Sequence, residues 1–308
     1  MTASQGAEVT WPKISLVTPV FNSGKYIEQT VQSVLGQNYP NLDYFIVDGS
    51  STDGTLEIIR KYESRISGWM SEPDKGMYDA LNKGFARTSG EIMGWISATD
   101  MLQPGGLAVV GGVFRDLQEV EWITGRPSWF NEEGELIGTG APPRWSRIRF
   151  LAGANRYIQQ ESTFWRRSLW ERAGGRVDSS RRNASDFELW VRFFRHARLY
   201  PVDALIGGFR KHGDSLGLQD LQACHRAHDE FISAELSQTK YGSLLRLFHS
   251  ASRIAEAAPV LRRLWSRFVT NPLYGHPGWD WAPVIVYEEG KWALGARVNR
   301  AESVDRPD

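Results

Sequence analysis

The chain has 308 residues, 41% hydrophobic and 23% charged, with Lys+Arg and Asp+Glu balanced at 36 each. This is an ordinary globular composition with room for a large core, and its zero formal charge excludes a global field that would draw it to nucleic acid. A single cysteine, Cys224, excludes an internal disulfide framework and suits a reducing compartment.

Ile14–Thr18 is a continuous apolar run, as expected of a buried parallel strand. Asn22-Ser23-Gly24 turns the chain into a helix from about Lys25, in which Ile27, Val31, Val34 and Leu35 share one face until Gly36 and Tyr39-Pro40 end it. Tyr44–Val47 reads as a second buried strand, and Thr52-Asp53-Gly54 opens a helix carrying Leu56, Ile58, Ile59 and Tyr62. Gly68–Ser71 is the third strand, Tyr78–Thr88 a helix closed at Ser89-Gly90, and Ile92–Ile96 the fourth strand. Strands alternating with helices predict a mainly parallel sheet covered on both faces, an α/β fold. Beyond Asp100 the pattern predicts a helix over Gly105–Leu117, and strands over Glu121–Asn131 and Glu135–Gly138 about an Asn-Glu-Glu-Gly turn. A strand over Ser162–Trp165, a helix over Phe187–His196 and a strand over Val202–Arg210 follow. Nothing between 100 and 215 reads as a linker, so residues 1–215 are expected to form one domain and 216–308 a mainly helical extension. In that extension Leu244, Leu245, Leu247, Phe248, Ile254, Val260, Leu261, Leu264 and Phe268 interleave with arginines. The thirteen tryptophans suit sugar-stacking surfaces, but core packing accounts for most of them.

Each apolar run of the first hundred residues ends on a polar residue, and in an open α/β sheet ligands bind outside the carboxyl ends of the strands. Asp48 stands where the second strand leaves the sheet. Its carboxylate can accept the imide N–H of a uracil or thymine ring, or it can simply close an Asx turn. Asp53, followed directly by Gly54 and a helix, reads as a turn or cap residue. Asp100 ends the fourth strand. There it can hold a hard cation against a pyrophosphate, or cap the next helix. Thr99 beside it offers a hydrogen bond or a weak ligand. Asp186 opens an apolar helix, either as its cap or as a general base, and Glu188 is placed to pair with Arg192 four residues on. Arg210, Lys211 and His212 follow the last strand of this region and can meet phosphate or complete a cation site. The chain carries no His-Glu-x-x-His, paired-cysteine, Walker or Gly-x-Gly-x-x-Gly pattern, which lowers the weight of zinc hydrolysis, P-loop phosphoryl transfer and nicotinamide chemistry.

The phrases Val17-Thr-Pro-Val-Phe-Asn22, Val47-Asp-Gly-Ser-Ser-Thr-Asp-Gly-Thr55 and Ser71-Glu-Pro-Asp-Lys-Gly-Met-Tyr-Asp-Ala-Leu-Asn-Lys-Gly84 stand in order along the chain. Gly90-Glu-Ile, the strand ending in Asp100, Gln160-Glu-Ser-Thr-Phe-Trp165, Asp186-Phe-Glu-Leu-Trp and Phe209-Arg-Lys-His212 continue the series. From Ile14 to about Ser215 the chain resembles the family 2 inverting glycosyltransferases of bacterial polysaccharide and glycoconjugate assembly. The resemblance implies a GT-A fold, a nucleotide-diphospho-sugar donor (UDP- or dTDP-sugar favoured) and a saccharide, lipid-linked or small-molecule acceptor. Carried over position by position, it implies Thr18, Pro19 and Asp48 about the nucleobase, and Asp74, Lys75 and Asn82 along the nucleotide, with Thr99 at the donor. It further implies Asp100 and His212 on a Mg²⁺ or Mn²⁺ ion and Asp186 as catalytic base. One departure matters: the family's metal motif presents two or three acidic residues, whereas Ser97-Ala-Thr-Asp100 keeps one. A non-catalytic nucleotide-sugar-binding subunit is the alternative that this thinning raises. A nucleotidyltransferase is disfavoured, because no basic Gly-rich loop follows the first strand. No leader-like pattern opens the chain and no apolar run approaches ~18 residues, so a cytoplasmic location is expected. The arginine-laced C-terminal region leaves peripheral contact with the inner membrane face, or a homodimer, as further expectations.

Overall fold

The computed structural model describes residues 10–153, 157–181, 183–213, 221–239 and 280–295, with 242–243, 247, 250–251, 254 and 258–265 between the last two. Its centre is a seven-stranded sheet. Strand β1 (Ile14–Val20) pairs in parallel with β2 (Leu42–Asp48), which pairs in parallel with β3 (Gly68–Ser71). On its other side β1 pairs in parallel with β4 (Ile92–Trp95). Helices α1 (Ile27–Leu35), α2 (Thr55–Lys61) and α3 (Met77–Phe85) make the crossovers. Beyond β4, the strand β9 (Thr163–Arg166) runs antiparallel to β4 and to β6 (Trp122–Thr124), and β10 (Tyr200–Pro201) closes that edge parallel to β6.

Alternation along β1 assigns the two faces. Ile14, Leu16 and Val20 pack with the stripe Ile27, Val31, Val34 and Leu35 of α1 and with Leu107, Val110 and Val113 of α4 (Gly106–Asp116). Val17, Phe45, Val47 and Trp95 point to the other face, against Leu81 and Phe85 of α3 and against α7 (Ser185–Phe193). Gly84 lets α3 lie close on the sheet, since a Cβ there would sit 2.5 Å from Val17 Cγ1. Most of the described tryptophans are core residues. Trp190 stacks on Trp95 at 5.6 Å and on Trp122 at 5.4 Å, and Trp165 meets them edge-on; such pairs add about 0.5–1.5 kcal/mol each beyond their buried area.

A second sheet lies beyond the carboxyl end of β4. Its order is β5 (Met101–Leu102), β11 (Gly207–Arg210), β7 (Ser128–Phe130), β8 (Leu136–Thr139). Here the structure corrects the sequence reading: the expected strand Glu121–Asn131 is two strands in two sheets, and Val202–Arg210 yields only β11 after the short β10. The break falls at Gly125-Arg126-Pro127, where Gly125 N–H donates to Ser162 O, Arg126 N–H donates to Ala204 O, and Pro127 has no N–H for a ladder. The helices α5 (Arg147–Leu151) and α6 (Arg167–Arg172) were not foreseen either.

The described part of the C-terminal region includes α8 (Leu221–Ser237), which packs on α7 through Ile232 and Leu236 and through His228 stacked on Phe187 at 3.9 Å. It also includes a short helix, α9 (Pro259–Trp265), and a hairpin, β12 (Ile285–Glu288) with β13 (Lys291–Leu294), so the region is not wholly helical. The hairpin returns to the main body: Ile285 bridges to Val202, and Trp292 N–H donates to Asp116 Oδ2 at 3.0 Å. Leu247, Ile254, Val260, Leu261 and Leu264 are exposed, while Leu244, Leu245, Phe248 and Phe268 lie outside the described residues. Among the described residues no helix is long and apolar enough to cross a membrane.

Candidate active site

At the tip of β2 the Asp48 carboxylate divides its labour. Oδ2 accepts Ser50 N–H at 3.0 Å, Ser51 N–H at 3.1 Å and Ser71 Oγ–H at 2.6 Å, which is the turn reading realised. Oδ1 is buried and has no partner. Three donors fix the group while one acceptor oxygen stays open. Asp53 is the turn residue expected: Oδ1 accepts Thr55 N–H at 3.2 Å and Thr55 Oγ–H at 2.6 Å, and Oδ2 accepts Gly24 N–H at 2.9 Å.

Asp74 lies against this tip. A Cβ on Gly49 would stand 2.7 Å from Asp74 Oδ2, so only glycine admits the contact. Asp74 Oδ1 accepts Gly76 N–H at 2.7 Å, and Gly76 at φ 111° turns the chain into α3. Lys75 follows Asp74 with its side chain exposed. Asn82 has both ends of its amide occupied, by Val177 O at 2.8 Å and Val177 N–H at 2.9 Å, and so pins the 173–178 loop to α3. Thr18 is fully buried with its hydroxyl 3.0 Å from Tyr44 OH, and Pro19 is buried beside it in β1.

Asp100 does not cap α4, whose N-cap is Gly105. It sits in the turn between β4 and β5, where Thr30 Oγ–H donates to the carbonyls of Ala98 and Asp100 at 2.8 Å each. Its Oδ1 accepts Arg210 N–H at 2.9 Å, and its Oδ2 accepts Gln160 Nε2–H at 3.3 Å. Burial pushes its carboxyl up to about 7, against the pull of these donors and of the nearby Arg210 charge. Thr99, half-buried, adjoins it. Arg210 is itself buried. Its Nη1 donates to Gln29 Oε1 at 2.6 Å and Glu132 O at 3.0 Å, its guanidinium lies 5.2 Å over the Tyr26 ring, and its Nε and Nη2 have no partner. Unmet buried donors cost about 1–3 kcal/mol each, so this cation is held ready for negative charge. The His212 ring packs 5.0 Å from Tyr26, on the same support.

Asp186 lies in the first turn of α7 but is not its cap, since the N-cap is Ala184, held at φ 67°. Its Oδ1 accepts Tyr78 O–H at 3.2 Å. Burial raises its carboxyl above the usual range, opposed by the Phe187 N–H and the Tyr78 hydroxyl. Glu188 pairs with Arg192 at 2.7 Å, as the i,i+4 spacing predicts. The sequence reading passed over two groups. Tyr78 joins the start of α3 to Asp186. Glu161, almost fully buried with Oε1 unpartnered, lies within electrostatic reach of both Asp100 and Asp186, and burial raises its carboxyl strongly. A carboxylate directly before the apolar strand Ser162–Trp165 was the available signal.

These contacts form one series around the carboxyl ends of the parallel strands. Asp48 adjoins Asp74 through Gly49, Asp74 opens α3, Tyr78 of α3 holds Asp186, and Glu161 stands between Asp186 and Asp100. The three carboxylates singled out from sequence are thereby linked through one series of contacts and electrostatic couplings. Among the described residues no group of three or more His, Cys, Asp or Glu side chains is arranged to hold a metal. Asp100 nonetheless suits one ligand position, because Arg210 N–H, Gln160 and Ser97 occupy three of the four lone pairs of its carboxylate. Mg²⁺-type sites commonly take one or two carboxylates and fill the rest with substrate phosphates and water.

The family model described as "Glycosyl transferase family 2" matches residues 15–156. An uncharacterized glycosyltransferase of Mycobacterium tuberculosis is 30% identical over 172 residues, 53% of this chain and 62% of the relative, so the chain spans under two thirds of that protein's length. S. aureus TarS 1-349 in complex with UDP-GlcNAc superposes with a TM-score of 0.60 at 17% identity, over 79% of this chain and 72% of TarS. The mannosyltransferase PcManGT from Pyrobaculum calidifontis, solved with GDP-Man and Mn²⁺, superposes with a TM-score of 0.55 at 17% identity, over 86% and 82%. Residues 15–156 therefore match glycosyl transferase family 2, and with its strand order the chain shares the GT-A fold of these solved glycosyltransferases.

Proposed function

We propose that the protein is an inverting glycosyltransferase that moves a sugar from a nucleotide-diphospho-sugar to an acceptor hydroxyl, in bacterial polysaccharide or glycoconjugate assembly. The observation that carries this reading is the half-buried Asp186. Its proton affinity is raised by burial, and Tyr78 ties it to α3, in the series of groups that runs from Asp48 to Asp100. A carboxylate of raised basicity is suited to take a proton from a hydroxyl near neutral pH. The acceptor oxygen then attacks the anomeric carbon while the carbon–oxygen bond to the nucleoside diphosphate breaks on the opposite side, which inverts the centre.

At the other end of the donor, the single open oxygen Asp48 Oδ1 suits a base with one N–H to give. That favours UDP- or dTDP-sugars over guanine, which offers two adjacent donors. Arg210 places a fixed positive charge beside Asp100, where charge builds on the leaving diphosphate. Asp100, with His212, would hold a Mg²⁺ or Mn²⁺ ion whose chemistry is to neutralise that charge. PcManGT, solved with Mn²⁺, supports the expectation of a cation.

The decisive experiment is Asp186→Asn. Transfer is expected to fall by about 10²–10⁴-fold, the range of a general base, while donor affinity measured by calorimetry stays within about threefold. Wild-type turnover in this variant would remove Asp186 as the base. A second reading, a nucleotide-sugar-binding subunit without turnover, is favoured by the lone carboxylate in Ser97-Ala-Thr-Asp100. Donor consumption measured with a panel of hydroxyl acceptors separates the two.

A further inference from the structure

Away from these carboxylates, a cavity of about 270 Å³ opens between Trp145 at the start of α5, the residues that follow α7, and Asp280. Its volume is just under the usual small-molecule range of about 300–1,000 Å³, which fits a phosphate with a small group attached and not a nucleotide sugar. Its walls carry Arg147, Arg195 and Arg198, set against the apolar sides of Trp145 and Phe194.

These guanidinium groups are already fixed in place. Glu235 of α8, only 4% exposed, accepts Arg147 Nη2–H on Oε1 at 2.9 Å and Arg195 Nε–H on Oε2 at 2.9 Å. One buried carboxylate therefore orients two cations and leaves one positive charge over. Arg198 pairs with the exposed Asp280 at the rim. Behind the wall, Arg147 Nε and Trp145 Nε1 are buried and lack a partner. Only Glu235 of the three is buried, and the Arg147 and Arg195 side chains are 41% and 42% exposed, so both cations remain accessible to an anion from solvent. Arginine forks fit tetrahedral oxyanions through paired N–H bonds. The site also stands apart from Asp186, since it adjoins the opposite end of α7, ~13 Å along the helix at 1.5 Å per residue.

We propose that this cavity is a binding site for a phosphate ester, with Arg147 and Arg195 gripping the phosphate, Arg198 at the rim and Trp145 and Phe194 against the attached group. The test titrates inorganic phosphate into the full chain by calorimetry at constant ionic strength, then sn-glycerol 1-phosphate. Vesicles of phosphatidic acid and of phosphatidylcholine follow, in sedimentation assays. Two variants accompany the wild type. Arg198→Glu reverses an exposed rim charge, and the double change Arg195→Gln with Glu235→Gln removes one of the two gripping cations at constant net charge, while the amide oxygen at 235 can still accept from Arg147. Saturable phosphate binding near one per chain is expected, weakened at least tenfold in both variants. Capture by phosphatidic acid vesicles alone, lost in the variants, assigns a lipid headgroup; binding of the soluble ester without vesicle capture assigns a free phosphate ester. Absence of saturable phosphate binding in the wild type, or equal affinity in wild type and both variants, overturns the site.

Discussion

Asp100 shows what burying a single carboxyl costs a fold. Its proton affinity is higher in the folded chain, about 7, than the ordinary 3.8 of an aspartate, because burial disfavours the anion. A group whose folded value is raised contributes stability that is complete below the unfolded value and is lost as pH climbs through the folded one. The ligand-free protein should therefore lose stability between about pH 4 and pH 7 on account of this residue. Asp100→Asn removes the penalty. Its Oδ1 still accepts Arg210 N–H, and its new amide can donate to Gln160 Oε1, a buried acceptor with no partner, once that side chain flips. The expected outcome in thermal or denaturant unfolding is a variant as stable as wild type at pH 4 and more stable at pH 8, by up to about 4 kcal/mol. A gain of equal size at both pH values would mean that Asp100 is not the titrating group.

At the scale of elements, the site depends on close backbone approach. A Cβ on Gly207 of β11 would lie 2.2 Å from Glu161 O, a backbone atom that cannot swing aside. Ser162 Oγ–H also donates to Gly207 O at 2.7 Å, so β11 and the 160–162 turn move as a unit. Gly207→Ala should push them apart, carrying Gln160 and Glu161 one way and Arg210 the other. We expect a loss of about 1–3 kcal/mol, typical of overpacking, and at least tenfold lower transfer, read by unfolding and by donor turnover. Activity at wild-type level would show that this seam does not set the site. Such seams also mark the limit of what sequence discloses. Long apolar runs ending on Asp48 and Asp100 made the parallel strands and their polar tips legible, because one buried strand leaves an unbroken pattern. The second sheet was not legible: β5, β7 and β11 are two to four residues long, and their pairing partners lie up to a hundred residues away. Asp186 was found at its helix start, but its link through Tyr78, and the burial of Glu161 beside it, arise only when α3, α7 and β9 come together.

Across the whole molecule, the chain closes on itself at the hairpin. β12 and β13 lie far along the chain from the main sheet, yet Ile285 is buried against Val202 and the Trp292 ring fills the space over Gly112 of α4, where a Cβ would meet its Nε1 at 2.6 Å. Trp292 N–H also donates to Asp116 Oδ2, the carboxylate that pairs with Arg115. A long-range contact of this kind closes a large loop, and its cost grows only slowly with length, so a modest apolar anchor suffices to keep it shut. Trp292→Ala removes that anchor from a half-buried position. Full burial of a tryptophan is worth 3–5 kcal/mol on truncation, so a loss of about 2 kcal/mol is expected here, or ~5 °C in the unfolding midpoint of a chain this size. Leu294→Ala, 39% exposed at the end of the same strand, should change stability by less than about 0.5 kcal/mol. Equal effects from the two substitutions would show that the hairpin's own pairing, and not its seat on α4, holds this part of the chain to the catalytic body.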